Sequence, residues 1–327
     1  MGAMFSQFYP PSPPLTEKNL PSQRGKVFLI TGGYSGVGYQ LVEILYKAGG
    51  KVYIAGRSEE KAMRAIEEIK SRTPIDDEKW SGELEFLLLR LDDLASIKSS
   101  VAEFQRRESH LHVLWNNAGR CLYPKGEKTV QGHEVILGTN CLGPHLFTCL
   151  ILPSLQAAAK ISPPGTVRII WSSSILVDAS APKNGFVMSE ITSPSKDQTY
   201  NYTISKTGNW FLASQFGHRV SHDGIVSMTQ NPGNLRTNIT RETPKWVLMI
   251  LYPLLWDAHY GAYTELYAGL SPEITVEDNG GYIVPWGRKH PNMRKDLLDA
   301  LESELNGGAG LAEKFWEWCE RETTQFK

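Results

Sequence analysis

From Lys26 to Thr229 the chain alternates short β-type apolar runs with helical patterns of about 10–15 residues, and few folds accept that alternation. Val27–Ile30, Val52–Ala55, Leu84–Leu91, Val113–Trp115, Val167–Trp171 and Ile225–Thr229 read as strands. Val37–Ala48, Leu94–Glu108 and a segment from Ser58 to about Ser71 read as helices, the last with Ser58 as its N-cap. Strands separated by helices cannot pair as hairpins. They form a parallel sheet through right-handed crossovers, with helices on both faces. The expected fold class is therefore α/β, a single doubly wound domain over residues 25–290. A chain of 327 residues could hold two smaller domains, but no linker or change of composition appears before Thr229, and there is no internal repeat. Residues 1–24 hold five prolines with little apolar periodicity and read as an arm; residues 291–327 read as a helical extension.

The first strand runs into Thr31-Gly32-Gly33-Tyr34-Ser35-Gly36-Val37-Gly38, and a helix follows. Strand, Gly-rich turn and helix form the context of a dinucleotide pyrophosphate. Glycine lets the backbone approach, and helix N–H groups face the negative charge. The spacing, Gly32-x-x-x-Gly36-x-Gly38, differs from G-x-G-x-x-G, and such turns also occur without a ligand. The end of the second strand separates NAD from NADP. A carboxylate there accepts from a ribose 2′-hydroxyl; here the sequence is Ala55-Gly56-Arg57-Ser58. Arg57 suits a 2′-phosphate, with Ser58 adding a hydrogen bond, so the expected cofactor is NADP(H). The alternative is that Arg57 is a solvated loop charge.

Tyr202-Thr203-Ile204-Ser205-Lys206 puts a phenol and an ammonium four residues apart, on one face of a helix. An ordinary phenol, with a pKa of about 10, is a poor proton donor to a carbonyl. A nearby ammonium and an oxidised nicotinamide both favour the phenolate and bring the group toward general acid–base work near neutrality. Lys206 also has the length to meet the nicotinamide ribose hydroxyls. Tyr200 has Ile204 four residues on and is the poorer acid. A hydroxyl is needed to hold a substrate oxygen against Tyr202, and Ser172-Ser173-Ser174 closes a strand. A lone Tyr-x-x-x-Lys is usually a solvated helix face. The Gly-rich turn, Asn116-Asn117-Ala118-Gly119 and the serine cluster together argue against that here.

With these motifs in this order, over about residues 24 to 290, the chain resembles the classical short-chain dehydrogenases/reductases, and most closely their retinol-dehydrogenase-like branch with its many fungal members. Gly138–Gly143, Asn231-Pro232-Gly233-Asn234-Leu235-Arg236-Thr237, Pro285-Trp286-Gly287-Arg288 and Phe315–Glu320 add to the likeness. The resemblance implies a Rossmann fold and a catalytic tetrad of Asn140, Ser174, Tyr202 and Lys206, with Ser173 replacing Ser174 if the register slips by one. It implies that Asn140 holds a water linking Lys206 to solvent, as against an asparagine bonded to its local backbone. Cofactor contacts are implied for Gly32, Tyr34, Ser35, Gly36, Val37 and Gly38, and for Arg57. They are implied also for Asn117, Ala118 and Gly119, for Tyr202 and Lys206, and for Pro232, Gly233, Leu235 and Thr237, the last on the carboxamide. The implied activity is NADPH-dependent reduction of a carbonyl, or the reverse alcohol oxidation, in a setting such as fungal secondary metabolism. A cofactor-binding scaffold without turnover and an epimerase or dehydratase on the same fold are the alternatives.

Two departures stand out. After the third strand the family commonly has Asp-Leu, whose carboxylate bonds the adenine amine; Arg90 stands here, with Asp92 and Asp93 just beyond. Asp93, a shifted register or an Arg90–adenine stack are the substitutes. Between Ser174 and Tyr202 lie 27 residues, and the insert Ala179–Thr199 reads as a mobile lip over the substrate. The expected cover, residues 238–270, includes the apolar run Trp246–Trp256, too short to span a bilayer, so no integral membrane segment is expected. It suits a small-molecule partner with a bulky hydrophobic body; core packing, an oligomer interface and peripheral membrane contact are its other readings. A net charge of −1 gives no pull toward nucleic acid. Cys121, Cys141, Cys149 and Cys319 form no C-x-x-C pair, and His110 and His112 flank a strand, so no metal site is expected. Reduced, buried thiols point to a cytoplasmic protein. The family's habit makes a homo-oligomer a candidate state.

Overall fold

Along each strand the apolar residues fall alternately into two separate cores, as a sheet covered on both faces requires. The computed structural model describes residues 2–73, 82–124, 126–236 and 254–327. In it Phe28, Ile30, Val52, Ile54, Val113, Trp115 and Ile170 enter one core, and Leu29, Tyr53, Leu114, Ile169 and Trp171 the other. The strands are β1 (Val27–Thr31), β2 (Lys51–Gly56), β3 (Glu83–Leu88), β4 (Val113–Asn116), β5 (Arg168–Ser172), β6 (Val226–Gln230), β7 (Tyr282–Val284) and β8 (Arg288–Lys289). They form one eight-stranded sheet in the order β3-β2-β1-β4-β5-β6-β7-β8. It is parallel up to β7, and β8 returns antiparallel. The chain is a single doubly wound α/β domain of the Rossmann type. Its strand order reverses between β1 and β4, the place where such sheets open a crevice for ligands.

Helices α1 (Gly2–Phe8), α2 (Gly36–Lys47), α3 (Glu59–Arg72), α4 (Leu94–Arg107) and α5 (Val135–Ala159) lie in the first half. The second half adds α6 (Leu176–Ser180), α7 (Met188–Thr192), α8 (Gln198–Val220), α9 (Ala258–Leu270), α10 (Lys295–Leu301) and α11 (Leu311–Thr323). Helices α2, α3 and α9 cover one face of the sheet; α4, α5 and α8 cover the other. Ser58 caps α3 as the sequence indicated, accepting from the Lys61 N–H at 3.4 Å. Helix α5 is longer than the run Trp246–Trp256, with a mean hydropathy of 1.6 that would suit a membrane span. Its apolar surface instead meets the sheet: 78% of its most apolar window is buried.

Two segments, the insert and the amino-terminal arm, differ from their sequence reading. The insert Ala179–Thr199 is tied into the fold. Phe186 and Ile191 are buried, and Phe186 packs on Phe211 and Phe315 with ring centroids 5.0 and 5.2 Å apart. Arg294 donates to the Ala181 and Pro182 carbonyls at 2.8 and 3.1 Å. The carboxy-terminal α11 forms an outer layer over α8, where Trp316 meets Phe216 and His145 edge-on at 4.7 and 4.8 Å. The Pro-rich arm begins with a helix that docks: Gln7, 1% exposed, donates to Asp178 at 2.7 Å and accepts from Asn231 Nδ2 at 2.8 Å.

Helix α11 is fastened to α5 by Glu320, which accepts from His145 Nε2 at 3.1 Å and pairs with Lys327 at 2.5 Å. The His145 bond first, and then Lys327, hold the Glu320 carboxyl down at about 2, below its ordinary 4.5. A depressed carboxyl contributes stability above its unfolded pKa and loses it as the folded pKa is approached from above. Acid unfolding between pH 4.5 and about 2 is therefore expected to be shallower for E320Q than for the parent, as read by tryptophan fluorescence.

Candidate active site

The Gly-rich turn is shaped by close approaches that exclude a Cβ. Gly32 and Gly36 have φ of 71° and 58°, the left-handed region that glycine alone enters freely. A Cβ on Gly38 would stand 2.6 Å from Asn117 Nδ2. That amide donates to the Thr31 carbonyl at 2.8 Å, and the Ala118 N–H donates to Thr31 Oγ1 at 2.9 Å. Asn117 and Ala118 thus lock the end of β4 to the turn. Ser35 precedes α2 without a side-chain cap, so the first N–H groups of α2 have no hydroxyl partner from it. The Tyr34 ring lies against Gly56, where a Cβ would collide with its edge. Val37 and Leu235 meet over Gly261, so the turn and the Asn231–Leu235 segment are neighbours. Gly233 has φ of 97°, and a Cβ there would lie 2.6 Å from the Trp286 ring. These features fit a dinucleotide: bare backbone, an uncapped helix start and no room for side chains. Thr237 and residues 238–253 of the expected cover lie outside the described residues.

At the end of β2, Arg57 is half exposed with Nη1 3.7 Å from Asp92 Oδ2, and Arg90 Nε is 3.7 Å from the other Asp92 oxygen. Two guanidinium groups share one carboxylate, leaving net positive charge at the rim. Ser58 is engaged as the α3 cap. Asp93 Oδ1 accepts from Gln131 Nε2 at 3.0 Å, and Gln131 Oε1 accepts from the Leu94 N–H at 3.0 Å. That carboxylate therefore already has a partner in the chain, while Arg90 stays half exposed.

Tyr202 and Lys206 lie one turn apart on α8, both buried. The Tyr202 hydroxyl faces the Ser174 side chain, two residues beyond the end of β5. Ser173 points elsewhere: it donates to the Lys206 carbonyl at 2.9 Å and accepts from Tyr282 at 3.1 Å. The structure thus brings Ser174, not Ser173, to Tyr202. Lys206 Nζ donates to the Ser172 carbonyl at 2.9 Å and lies 5.5 Å from the Tyr202 ring centre. The lowering of the phenol pKa expected from Lys206 is not seen. Burial raises Tyr202 well above the ordinary phenol range, and the nearby Ser174 hydroxyl offsets only part of that. Burial also lowers Lys206 to about 8.

Asn140 sits in a π-helical turn, Gly138–Leu142, inside α5. Such single wide turns are rare and recur at functional sites. Its Nδ2 donates to the Arg120 carbonyl at 3.0 Å and to Ser205 at 3.1 Å, and its Oδ1 accepts from the Arg120 N–H at 3.1 Å. The asparagine is bonded across the site, not to its local backbone. Gly119 completes the group: a Cβ there would stand 3.1 Å from Lys206 Nζ and 3.4 Å from Asn140 Oδ1. Tyr202 also packs with Tyr123, Val135 and Ile136. From Tyr123 a cleft of about 1260 Å³ runs between the Arg120–Val135 loop and the Ile191–Asn201 stretch, with Lys128, Glu134 and Asp197 on its walls.

One buried group escaped the sequence reading. Glu265 on α9 accepts from Ser172 Oγ at 2.8 Å and Gln230 Nε2 at 2.7 Å. It is the single acidic residue in the mostly apolar helix Ala258–Leu270, and that isolation was the available signal.

Residues 26–182 match the family model described as short chain dehydrogenase. The chain is 45% identical over 321 residues to the short-chain dehydrogenase/reductase iacJ of Pestalotiopsis fici, covering 97% of this chain and 96% of that one. The chain belongs to the short-chain dehydrogenases/reductases. Another fungal member, bet4 of Neocamarosporium betae, is 40% identical over 331 residues, spanning 100% of this chain and 94% of that relative. The crystal structure of an NADPH-bound carbonyl reductase from chicken fatty liver superposes with a TM-score of 0.59 at 21% identity, covering 80% of this chain and 96% of that one; this is a likeness of fold. As a short-chain dehydrogenase/reductase the protein is an oxidoreductase with a nicotinamide cofactor and a small-molecule substrate. Outside the crevice of this short-chain dehydrogenase/reductase, the metal-type donors gathered among the described residues are His145, Cys149 and Glu320, which join α5 to α11.

Proposed function

We propose that the protein is an NADPH-dependent carbonyl reductase acting on a bulky ketone or aldehyde, with alcohol oxidation as the reverse reaction. The observation that carries this reading is the approach of Ser174 to the buried Tyr202 hydroxyl, with Lys206 one turn away. Two hydroxyls that meet in this way can both bond one carbonyl oxygen.

When bound, the reduced nicotinamide supplies the hydride for the carbonyl carbon. Tyr202 gives its proton to the substrate oxygen, and Ser174 donates to the same oxygen and fixes its direction. The Lys206 ammonium offsets the negative charge left on Tyr202. Asn140 keeps Arg120 and Ser205 in register around Lys206, and it holds the water that links Lys206 to solvent for the return of the proton. The first turn of α2 and the glycines before it receive the pyrophosphate, and Arg57 receives the 2′-phosphate. The cleft beginning at Tyr123 receives the body of the substrate: apolar near Tyr202, polar toward Asp197 and Lys128. The relatives iacJ and bet4 are fungal, and a setting in fungal secondary metabolism is part of the same proposal.

The test is a fluorescence titration with NADPH and NADH, followed by a screen of hydrophobic ketones and aldehydes for net NADPH oxidation. NADPH is expected to bind more tightly. In R57A its affinity falls about 10- to 100-fold while NADH stays within about twofold, because one charge-assisted contact is lost. Equal losses for both cofactors would remove Arg57 from the 2′-phosphate site.

A further inference from the structure

Glu265 is wholly buried, and its Oε2 has no hydrogen-bond partner among the described residues. A carboxyl in that state is costly unless a charge nearby compensates it. The residue that bonds its other oxygen, Ser172, is also the residue whose carbonyl receives Lys206 Nζ at 2.9 Å and Asn209 Nδ2 at 3.0 Å. Ser172 therefore connects Lys206, on one face of the sheet, to Glu265, on the other. Gln230 closes the group, donating to Ser172 Oγ at 3.0 Å and to Glu265 Oε1 at 2.7 Å.

We propose that Glu265 is a positioning residue for Lys206: through Ser172 it fixes the carbonyl that aims the ammonium, and its carboxylate is the buried counter-charge of that ammonium. The proposal rests on the reductase reading above. The groups around Lys206 that can carry charge are Tyr202 on α8, Cys121 after β4, Cys141 in the π turn and Glu265 on α9. Burial raises both thiols and the phenol, so all three are neutral near pH 7. Glu265 is left as the described group that can turn negative there. The strands packed against Glu265 present Trp115, Ser172 and Gln230, none of them charged. Burial raises Glu265 to about 7 while Lys206 pulls it back, and Glu265 in turn supports the charged form of Lys206.

The experiment is the pH dependence of kcat for carbonyl reduction by the full chain, its E265Q variant and its S172A variant at saturating NADPH. E265Q keeps an acceptor for Ser172 and removes the charge. Without the carboxylate the ammonium is less favoured and Lys206 loses its proton at lower pH. The alkaline limb of the profile is thus expected to move down by about one pH unit, with activity preserved on the acid side and KM for NADPH unchanged. S172A removes a bond that favours ionised Glu265, so it moves the limb the same way by less; it decides the question if E265Q does not fold. Profiles lowered equally at every pH would make Glu265 a packing residue and overturn the proposal.

Thermal unfolding against pH gives a readout that needs no turnover. A carboxyl raised from 4.5 to about 7 contributes stability that is full below pH 4.5 and is lost as pH rises through about 7; E265Q flattens that fall. A parent with no carbonyl turnover sinks the reductase reading, while the unfolding curves still report whether Glu265 titrates near neutrality. Unfolding curves of the same slope for the parent and E265Q count against the proposal.

Discussion

Replacing Tyr202 by phenylalanine is expected to lower kcat for carbonyl reduction by about 10²- to 10⁴-fold, the range for a lost general acid, while NADPH affinity stays near that of the parent. The substitution removes one oxygen from a buried position whose ring packs against Tyr123, Val135 and Ile136, so the ring contacts survive. Burial raises the phenol above its ordinary range, so it carries its proton at neutral pH and gives it up only when the charge on Lys206 and on the oxidised cofactor favours the phenolate. The check is single-turnover reduction with NADPH pre-bound, which separates binding from chemistry. Turnover within a factor of about three of the parent would exclude Tyr202 as the proton donor. A cofactor-binding scaffold, by contrast, would be indifferent to the change.

The largest expected loss of stability comes from a residue remote from the reacting groups. Arg168, at the start of β5, is 3% exposed and donates to four backbone carbonyls: Gly165 at 2.7 Å, Ala268 at 3.0 Å, Ser271 at 2.8 Å and Ile274 at 3.1 Å. The last three gather the end of α9 and the chain just beyond it against the sheet. Burial lowers the guanidinium to about 10, and it is still charged at neutral pH. R168M fills the volume but leaves these carbonyls without donors, at an expected cost of about 3–5 kcal/mol in urea unfolding. R168K is expected to recover only part of that, because an ammonium cannot match a planar fork aimed at carbonyls on two sides. A loss below about 1 kcal/mol for R168M would mean that water replaces the guanidinium there.

The layout of the fold was legible because its signals are local. Six strands ending in turns, the Ser58 cap and the glycines at 32, 36 and 38 follow from periodicity and backbone freedom. What stayed hidden depends on neighbours distant in sequence. The π turn at Asn140 adds a residue to a helix that is apolar nearly all round, so no periodicity records it. The choice between Ser173 and Ser174 turns on Tyr282, more than a hundred residues later, which occupies Ser173. Arg57 looked like a lone cation, and only the folded chain brings Asp92 to it. The insert Ala179–Thr199 looked solvated because its two large buried side chains, Phe186 and Ile191, are scattered among Ser, Pro and Lys. They become core only once α11 supplies Phe315. β7 and β8 are too short to show as strand patterns.

Helix α1 joins residues that are made at very different times. Gln7 meets Asp178 and Asn231, 171 and 224 positions later. The Phe8 carbonyl accepts from Trp256 Nε1 at a separation of 248, and the Ser6 carbonyl from Arg288 at 282. During synthesis all of these partners emerge long after α1, and apart from Asp178 they come only once the sheet has grown to β6 and beyond. Contacts closing such long loops are entropically disfavoured early and form late. The turn at Asn231–Gly233 is therefore completed late, by a helix that waits for partners more than two hundred positions further along the chain.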